Sequence, residues 1–366
     1  MDRLLGGETD EPYNLMDGAS GELEALVREV APQQRITTDP HIDLEKRLEA
    51  YEDIIDSEVG DTSLVRARNI EREMGFRQLY LKFEGGNPTG TQKDRIAFAQ
   101  AMDALRRGFD TLTVATCGNY GVAVAMAASL AGLKSVIFIP AAYHTRRMSD
   151  IRDLGAEIRT VSGDYESAVL ASQEWARQNE CYDANPGGDN TRLQLQAYGQ
   201  IAYEIYDELR DAPAAVAAPV SNGTTLAGLY HGFLSLFRRG KTSRLPRIVA
   251  GSSFRKNPIV HSFIKGLATC EDLQPRNIRE TSINEPLINW HAIDGDLSLE
   301  AIRATGGWAA DASDQSMRRF ARLIANKEGL QVLPASTAGL IALIDRHLRE
   351  PLPGDRYVVL LTGRKA

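Results

Sequence analysis

The run Glu84-Gly-Gly-Asn-Pro-Thr-Gly-Thr-Gln-Lys-Asp-Arg95 decides how the rest of the chain is understood. An apolar, β-prone stretch, residues 79–83, feeds into it. The glycines and the proline make a tight turn, and a helix then begins. Phe98, Met102 and Leu105 recur at the i, i+4 and i+7 spacing of a buried helix face. Lys93 therefore falls in the first turn of a helix, directly after a tight loop. The helix dipole disfavours a cation at that end. A lysine kept only for solubility gains nothing there, whereas one acting as a nucleophile on a carbonyl is well placed.

Outward from this stretch the chain alternates between strand-like and helical segments. Residues 111–115, 135–139, 157–161, 214–220, 247–250 and 357–361 read as strands, most of them apolar. Residues 122–131, 148–154, 165–178, 193–209, 315–325 and 336–348 read as helices, and 41–56 as an amphipathic helix before the lysine loop. Such β-α alternation with continuous apolar strands predicts an α/β fold, with parallel-rich sheets covered by helices. The loop Ser221-Asn-Gly-Thr-Thr-Leu-Ala-Gly228 joins an apolar strand to a helix. That arrangement points backbone N–H groups and a positive dipole end at the loop, which suits a phosphate. Thr224 and Thr225 add hydroxyl donors and Gly223 permits close backbone approach. Taken alone, the same stretch is also a plain strand-to-helix turn.

Composition removes several function classes. The chain has 366 residues, 43% hydrophobic and 25% charged, which fits two domains or one large α/β unit. A net charge of -7 gives no basic footprint for nucleic acid. The three cysteines, Cys117, Cys181 and Cys270, form no CxxC pair, so neither a zinc site nor a disulfide framework is expected. No apolar run approaches the ~18 residues that span a bilayer, and the N-terminal residues lack an export signal. A cytoplasmic setting with no membrane partner is the expectation. A dinucleotide binder is disfavoured, because no G-x-G-x-x-G opens a helix after the first strand.

Asn87-Pro-Thr-Gly-Thr-Gln-Lys-Asp-Arg95 resembles the Schiff-base lysine motif of fold-type II pyridoxal-phosphate enzymes, and within them it is most similar to that of threonine synthase. The resemblance runs from about Asp61 to the C-terminus. It implies a two-lobed, tryptophan synthase β-like fold, pyridoxal 5'-phosphate as cofactor, Lys93 as the residue carrying it, and a homodimer. Further motifs follow. Thr116-Cys-Gly-Asn-Tyr-Gly121 is similar to the loop that receives the substrate carboxylate. By position, Asn119 then faces the cofactor's phenolic oxygen, while Thr116, Cys117, Gly118 and Tyr120 line the carboxylate site. Pro219-Val-Ser-Asn-Gly-Thr-Thr225 resembles the cofactor-phosphate loop, which assigns Ser221, Asn222, Gly223, Thr224 and Thr225 to cofactor binding. Val358-Val-Leu-Leu-Thr-Gly-Arg364 is similar to a last core strand whose hydroxyl residue, here Thr362, sits under the pyridine nitrogen. A neutral hydroxyl there suits elimination and replacement better than transamination. Glu285-Pro-Leu-Ile-Asn-Trp290 and Glu328-Gly-Leu-Gln-Val-Leu-Pro-Ala-Ser-Thr-Ala338 match two further regions. For these, a core-edge Trp290 and a helix cap at Ser336 are equally good readings.

The departures bear on substrate. In the opening motif Val59-Gly-Asp-Thr-Ser-Leu64, Asp and Ser stand where the family has Asn and Pro. The segments that grip a substrate phosphate in threonine synthases read Tyr143-His-Thr-Arg-Arg-Met148 and Asn185-Pro-Gly-Gly-Asp-Asn-Thr-Arg192 here. Arg146, Arg147 and Arg192 are candidates for an equivalent anion site, or ordinary surface charges. The expected activity is a lyase acting on an O-phosphorylated amino acid, threonine synthase first. The alternatives are β-replacement or β-elimination on O-phosphoserine or O-acetylserine, and cofactor binding without catalysis. The expected organisation is an extension over 1–40, a large cofactor-binding domain from 41–108 and 190–366, and a smaller mobile domain over 109–189.

Overall fold

The computed structural model describes residue 26 and residues 28–116, 118–141 and 147–365. Ten strands lie within them: β1 (Leu64–Arg66), β2 (Leu79–Phe83), β3 (Thr111–Ala115), β4 (Lys134–Pro140), β5 (Glu157–Val161), β6 (Tyr182–Asp183), β7 (Ala215–Pro219), β8 (Arg247–Ser253), β9 (Trp308–Ala312) and β10 (Tyr357–Leu361). They form a six-stranded sheet, ordered β1-β2-β10-β7-β8-β9, and a four-stranded sheet, ordered β5-β4-β3-β6. The β1–β2 pairing is antiparallel and the other pairings are parallel. The α/β expectation therefore holds.

The near-continuous apolar strands are explained by burial on both faces. In β10, Val358 and Leu360 enter one core cluster with Val216, Ala218 and Ile248. Tyr357, Val359 and Leu361 enter the opposite one with Leu79, Leu81 and Val249. Successive side chains of a strand point to opposite faces, so a strand covered twice must be apolar throughout. The small sheet does the same. Leu112 and Val114 join the large core, while Ala115, Val136 and Phe138 meet Ala168 of the Tyr165–Gln178 helix.

Two helices set the position of the loops. Thr191–Leu209 and Thr224–Arg238 pack closely, because a Cβ at Gly232 would collide with the Gly199 carbonyl oxygen. Their backbones therefore approach closely. Residues 31–38, assigned by sequence to the extension, form a helix. Its buried Thr37 donates to the Leu130 carbonyl at 2.5 Å, docking it on the Asn119–Ala131 helix. The segment 251–314 yielded few sequence signals, yet it holds the Pro258–Ile264 and Gly295–Ala304 helices and strand β9.

Candidate active site

Lys93 opens the Lys93–Arg106 helix, and its loop is held from below by buried charge. Arg95 donates through Nε and Nη2 to Glu84 at 2.6 and 2.9 Å, and through Nη1 and Nη2 to Glu204 at 2.6 and 2.9 Å. Lys82 donates to Glu204 at 2.5 Å. Two cations and two carboxylates thus balance inside the fold. Burial alone would raise the Glu204 pKa, but Arg95 and Lys82 hold it down at about 2. Arg95 is pushed above its ordinary value by Glu84 and Glu204, against the opposing effect of its own burial. The opening motif docks here as well, with Thr62 donating to Glu84 at 2.7 Å and the Gly60 N–H to the Asn87 side chain at 3.0 Å. Asp94 is fully buried and accepts from the Thr89 N–H and hydroxyl at 2.8 and 2.7 Å. Burial pushes its pKa up to about 7.

Lys93 itself faces a cavity of about 820 Å³. Its Nζ lies 3.4 Å from the Tyr198 hydroxyl and 6.0 Å from the centre of the Tyr120 ring. Thr116, Gly118, Asn119, Tyr120, the run 221–225 and Thr362 line the same cavity. Segments more than a hundred residues apart in sequence converge there because the strand ends of both sheets open towards it.

The loop at 221–225 starts the Thr224–Arg238 helix. Gly223 takes φ +97°, where a side chain is strained, and a Cβ there would sit 2.6 Å from the Asp294 carbonyl oxygen. The loop is fixed through its carbonyls: Asn257 Nδ2 donates to the Ser221 oxygen at 3.0 Å, and the Asp294 N–H to the Asn222 oxygen at 2.9 Å. First-turn N–H groups of a helix have no intrahelical partner, so this end remains a donor surface. The Thr362 hydroxyl lies 3.1 Å from that of Ser336, and its carbonyl accepts from the Gln92 N–H beside the lysine. Arg364 continues the tail, donating from its N–H to the Gly90 oxygen at 2.9 Å and from Nη1 to the Gly85 oxygen at 3.3 Å.

The profile of the family described as "Pyridoxal-phosphate dependent enzyme" matches residues 55–363. The chain belongs to that family. Relatives include threonine synthases: that of Methanocaldococcus jannaschii is 28% identical over 309 residues, covering 83% of this chain and 74% of the relative. That of Mycobacterium tuberculosis is 27% identical over 286 residues, covering 78% and 75%. Among solved structures, maize serine racemase superposes with a TM-score of 0.72 at 17% identity, over 87% of this chain and 92% of that one. The T.th. threonine deaminase gives 0.70 at 20% identity, over 94% and 98%. These structures share the fold of fold-type II pyridoxal-phosphate enzymes. The chain is accordingly a pyridoxal-phosphate-dependent enzyme.

The residues present fit the family's cofactor. A primary amine, a helix N-terminus with two hydroxyl side chains, and a separate hydroxyl on Thr362 all face one cavity. Lys93 would hold the aldehyde carbon, the 221–225 loop the phosphate, and Thr362 the ring nitrogen. The Asn119 oxygen accepts from Arg147 Nη1 at 3.2 Å, which leaves its amide N–H groups to donate elsewhere. Arg147 also donates to the Thr89 carbonyl at 3.3 Å and pairs with Asp150 at 2.9 Å. It thus ties the Asn119 helix to the lysine loop.

Several expectations need revision or fall elsewhere. Arg192 is exposed and is not among the residues lining the cavity. The chain makes a 3-10 turn at Gly188–Asn190, and the helix that follows buries Gln194 and Tyr198 rather than Arg192. The Tyr120 ring lines the cavity, but its hydroxyl reaches Gln100 and the Ala184 carbonyl (2.8 Å), so the ring and not the hydroxyl meets a ligand. Cys117 and Arg146 lie outside the described residues. Ser336 does not cap a helix with its side chain but reaches Thr362, and Trp290 lines the cavity. Sequence reasoning missed Tyr198, Asn257 and Asp294, which occur in no short motif and are brought in by packing alone.

Proposed function

We propose that this pyridoxal-phosphate-dependent enzyme is a lyase that catalyses elimination or replacement at the side chain of an α-amino acid, with Lys93 as its catalytic base. The carrying observation is the convergence of Lys93, the 221–225 loop, Asn119 and Thr362 on one cavity. Pyridoxal phosphate supplies an electron sink for the pair left at Cα. Lys93 takes and returns protons at Cα and its neighbours. The amides and hydroxyl of 116–120 receive the substrate carboxylate, and Thr362 donates to the ring nitrogen. The four-stranded sheet comes wholly from residues 111–183, which supports the division into a large part (41–108 and 190–366) and a smaller part (109–189) that closes over substrate and excludes water.

The threonine synthase relatives make O-phosphohomoserine, giving threonine and phosphate, the first substrate to test. A second reading, β-replacement or β-elimination on an amino acid with an uncharged leaving group such as O-acetylserine, is favoured by the cavity wall. Asp164, Glu166 and Glu280 line it, and like charge repels a substrate phosphate. The test is phosphate release and threonine formation from O-phosphohomoserine, run beside O-phosphoserine and O-acetylserine, with the visible absorbance of the purified protein recorded first. Turnover of O-acetylserine alone selects the second reading. A protein that shows no cofactor absorbance, even after addition of pyridoxal phosphate, would sink both. A cytoplasmic homodimer is part of the proposal, and its mass in solution tests the dimer.

A further inference from the structure

Asp294 is the N-cap residue of the Gly295–Ala304 helix, yet its side chain does not cap that helix. The carboxyl instead meets the hydroxyl of Thr224 at 2.5 Å, and both residues are buried. The backbone repeats the attachment. The Asp294 N–H donates to the Asn222 oxygen at 2.9 Å, and Ser298, one turn on, donates its hydroxyl to the Gly223 oxygen at 2.9 Å. A buried carboxyl has therefore been built against the loop that receives an anion. This is an unexpected neighbour for a phosphate.

We infer that Asp294 is a positioning residue that must take up a proton when the 221–225 loop binds a phosphate. The inference rests on the reading of that loop as the phosphate site. The Thr224 hydroxyl has one hydrogen. If Asp294 is ionised, that hydrogen goes to the carboxylate, and an oxygen lone pair is left towards the loop. If Asp294 is protonated, it donates to Thr224 Oγ, and the hydroxyl hydrogen is released to point at the phosphate. The proton comes from solvent, one per site, and no other bond is made or broken. Burial already raises the pKa of Asp294, opposed by the Thr224 hydroxyl. Ionisable groups on the surrounding elements are engaged elsewhere: Asp296 accepts from the Cys270 N–H at 2.6 Å, His291 meets Asp272 at 2.9 Å, and Lys93 lies beside Tyr198. The sign follows. Phosphate-dependent binding is strongest while the free site is protonated, and it weakens as pH rises through the free-site ionisation of Asp294.

The test uses pyridoxine 5'-phosphate, which lacks the aldehyde, titrated into cofactor-free protein at several pH values, with pyridoxine as the control. Wild-type protein is expected to lose affinity by up to about tenfold per pH unit over the range of that ionisation. Asp294→Asn, which always carries donor hydrogens, is expected to remove this slope and to bind more tightly than wild type at about pH 8, where the ligand phosphate is a dianion. Calorimetry of the wild type in two buffers of different ionisation enthalpy gives the proton count without a variant. Uptake of a proton at that pH supports the inference. Phosphate-dependent binding without proton uptake, or an Asp294→Asn protein with the wild-type slope, overturns it. If pyridoxine binds as well as its phosphate ester, the loop is not a phosphate site and the underlying reading fails instead.

Discussion

The lysine loop and the 221–225 loop stand at similar strand-to-helix turns and are held by opposite means. Beneath Lys93 the fixing groups are ions, with Arg95 and Lys82 against Glu84 and Glu204. Around Gly223 they are neutral amides and hydroxyls from Asn257, Asn289 and Ser298, together with the carboxyl of Asp294. On the proposed roles of Lys93 and the 221–225 loop, the difference follows from what each loop must present. A nucleophilic amine needs a rigid base whose charges cancel before they reach it. A loop that receives an anion needs its N–H groups unopposed, so it is tied down through its carbonyls. Buried charge suits the first and would obstruct the second, except where a carboxyl can be neutralised.

Substitutions separate the two loops. Lys93→Ala should lower turnover by about 10³-fold or more and abolish the visible absorbance of bound cofactor, with little change in thermal unfolding. Retained turnover would remove Lys93 from the chemistry. Arg95→Ala leaves Glu84 buried without its cation and Glu204 with Lys82 alone, and about 3–5 kcal/mol of stability should be lost in denaturant unfolding. A loss below about 1 kcal/mol would show that the lysine loop does not depend on its ions.

Acid should act on the same side of the comparison. The folded-state pKa of Glu204 lies below its ordinary value of 4.5, at about 2. Its contribution is therefore fully present above the unfolded value and is lost as pH falls through the folded one. Wild-type stability should decline across that window more steeply than that of Glu204→Gln, as followed by unfolding at each pH. Parallel profiles would contradict the ionic account.

On the other loop, Gly223→Ala forces a side chain into positive φ and against Asp294. Affinity for pyridoxal phosphate should fall by about tenfold, roughly 1.4 kcal/mol, while the fold persists. The smallest change is expected from Arg147→Lys. It loses the guanidinium fork that reaches both Asn119 and Thr89, at about 1 kcal/mol, which is roughly a fivefold drop in kcat measured at saturating cofactor. An unaltered kcat would mean that the orientation of Asn119 is set by other contacts.

The sequence by itself determined the parts governed by local periodicity and turn chemistry. Strands β2, β3, β5 and β10 and the Tyr165–Gln178 helix coincide with the apolar runs and periodic faces read from the residues. Lys93, the 221–225 loop, Asn119 and Thr362 were legible because each lies at a strand-to-helix turn or a strand end, where glycine and hydroxyl residues stand out. Residues 251–314 were not legible, since their short helices and the half-buried strand β9 carry little periodic signal. Tertiary structure alone decided that Arg192 points to solvent, that Tyr120 turns its hydroxyl to Gln100, and that Arg364 lies on the lysine loop. It also decided that Asp294, 70 positions beyond Thr224, closes on its hydroxyl. The physical reason is one of range. Backbone propensity and amphipathicity act over a few residues, whereas these contacts depend on where packed helices and paired strands bring distant side chains.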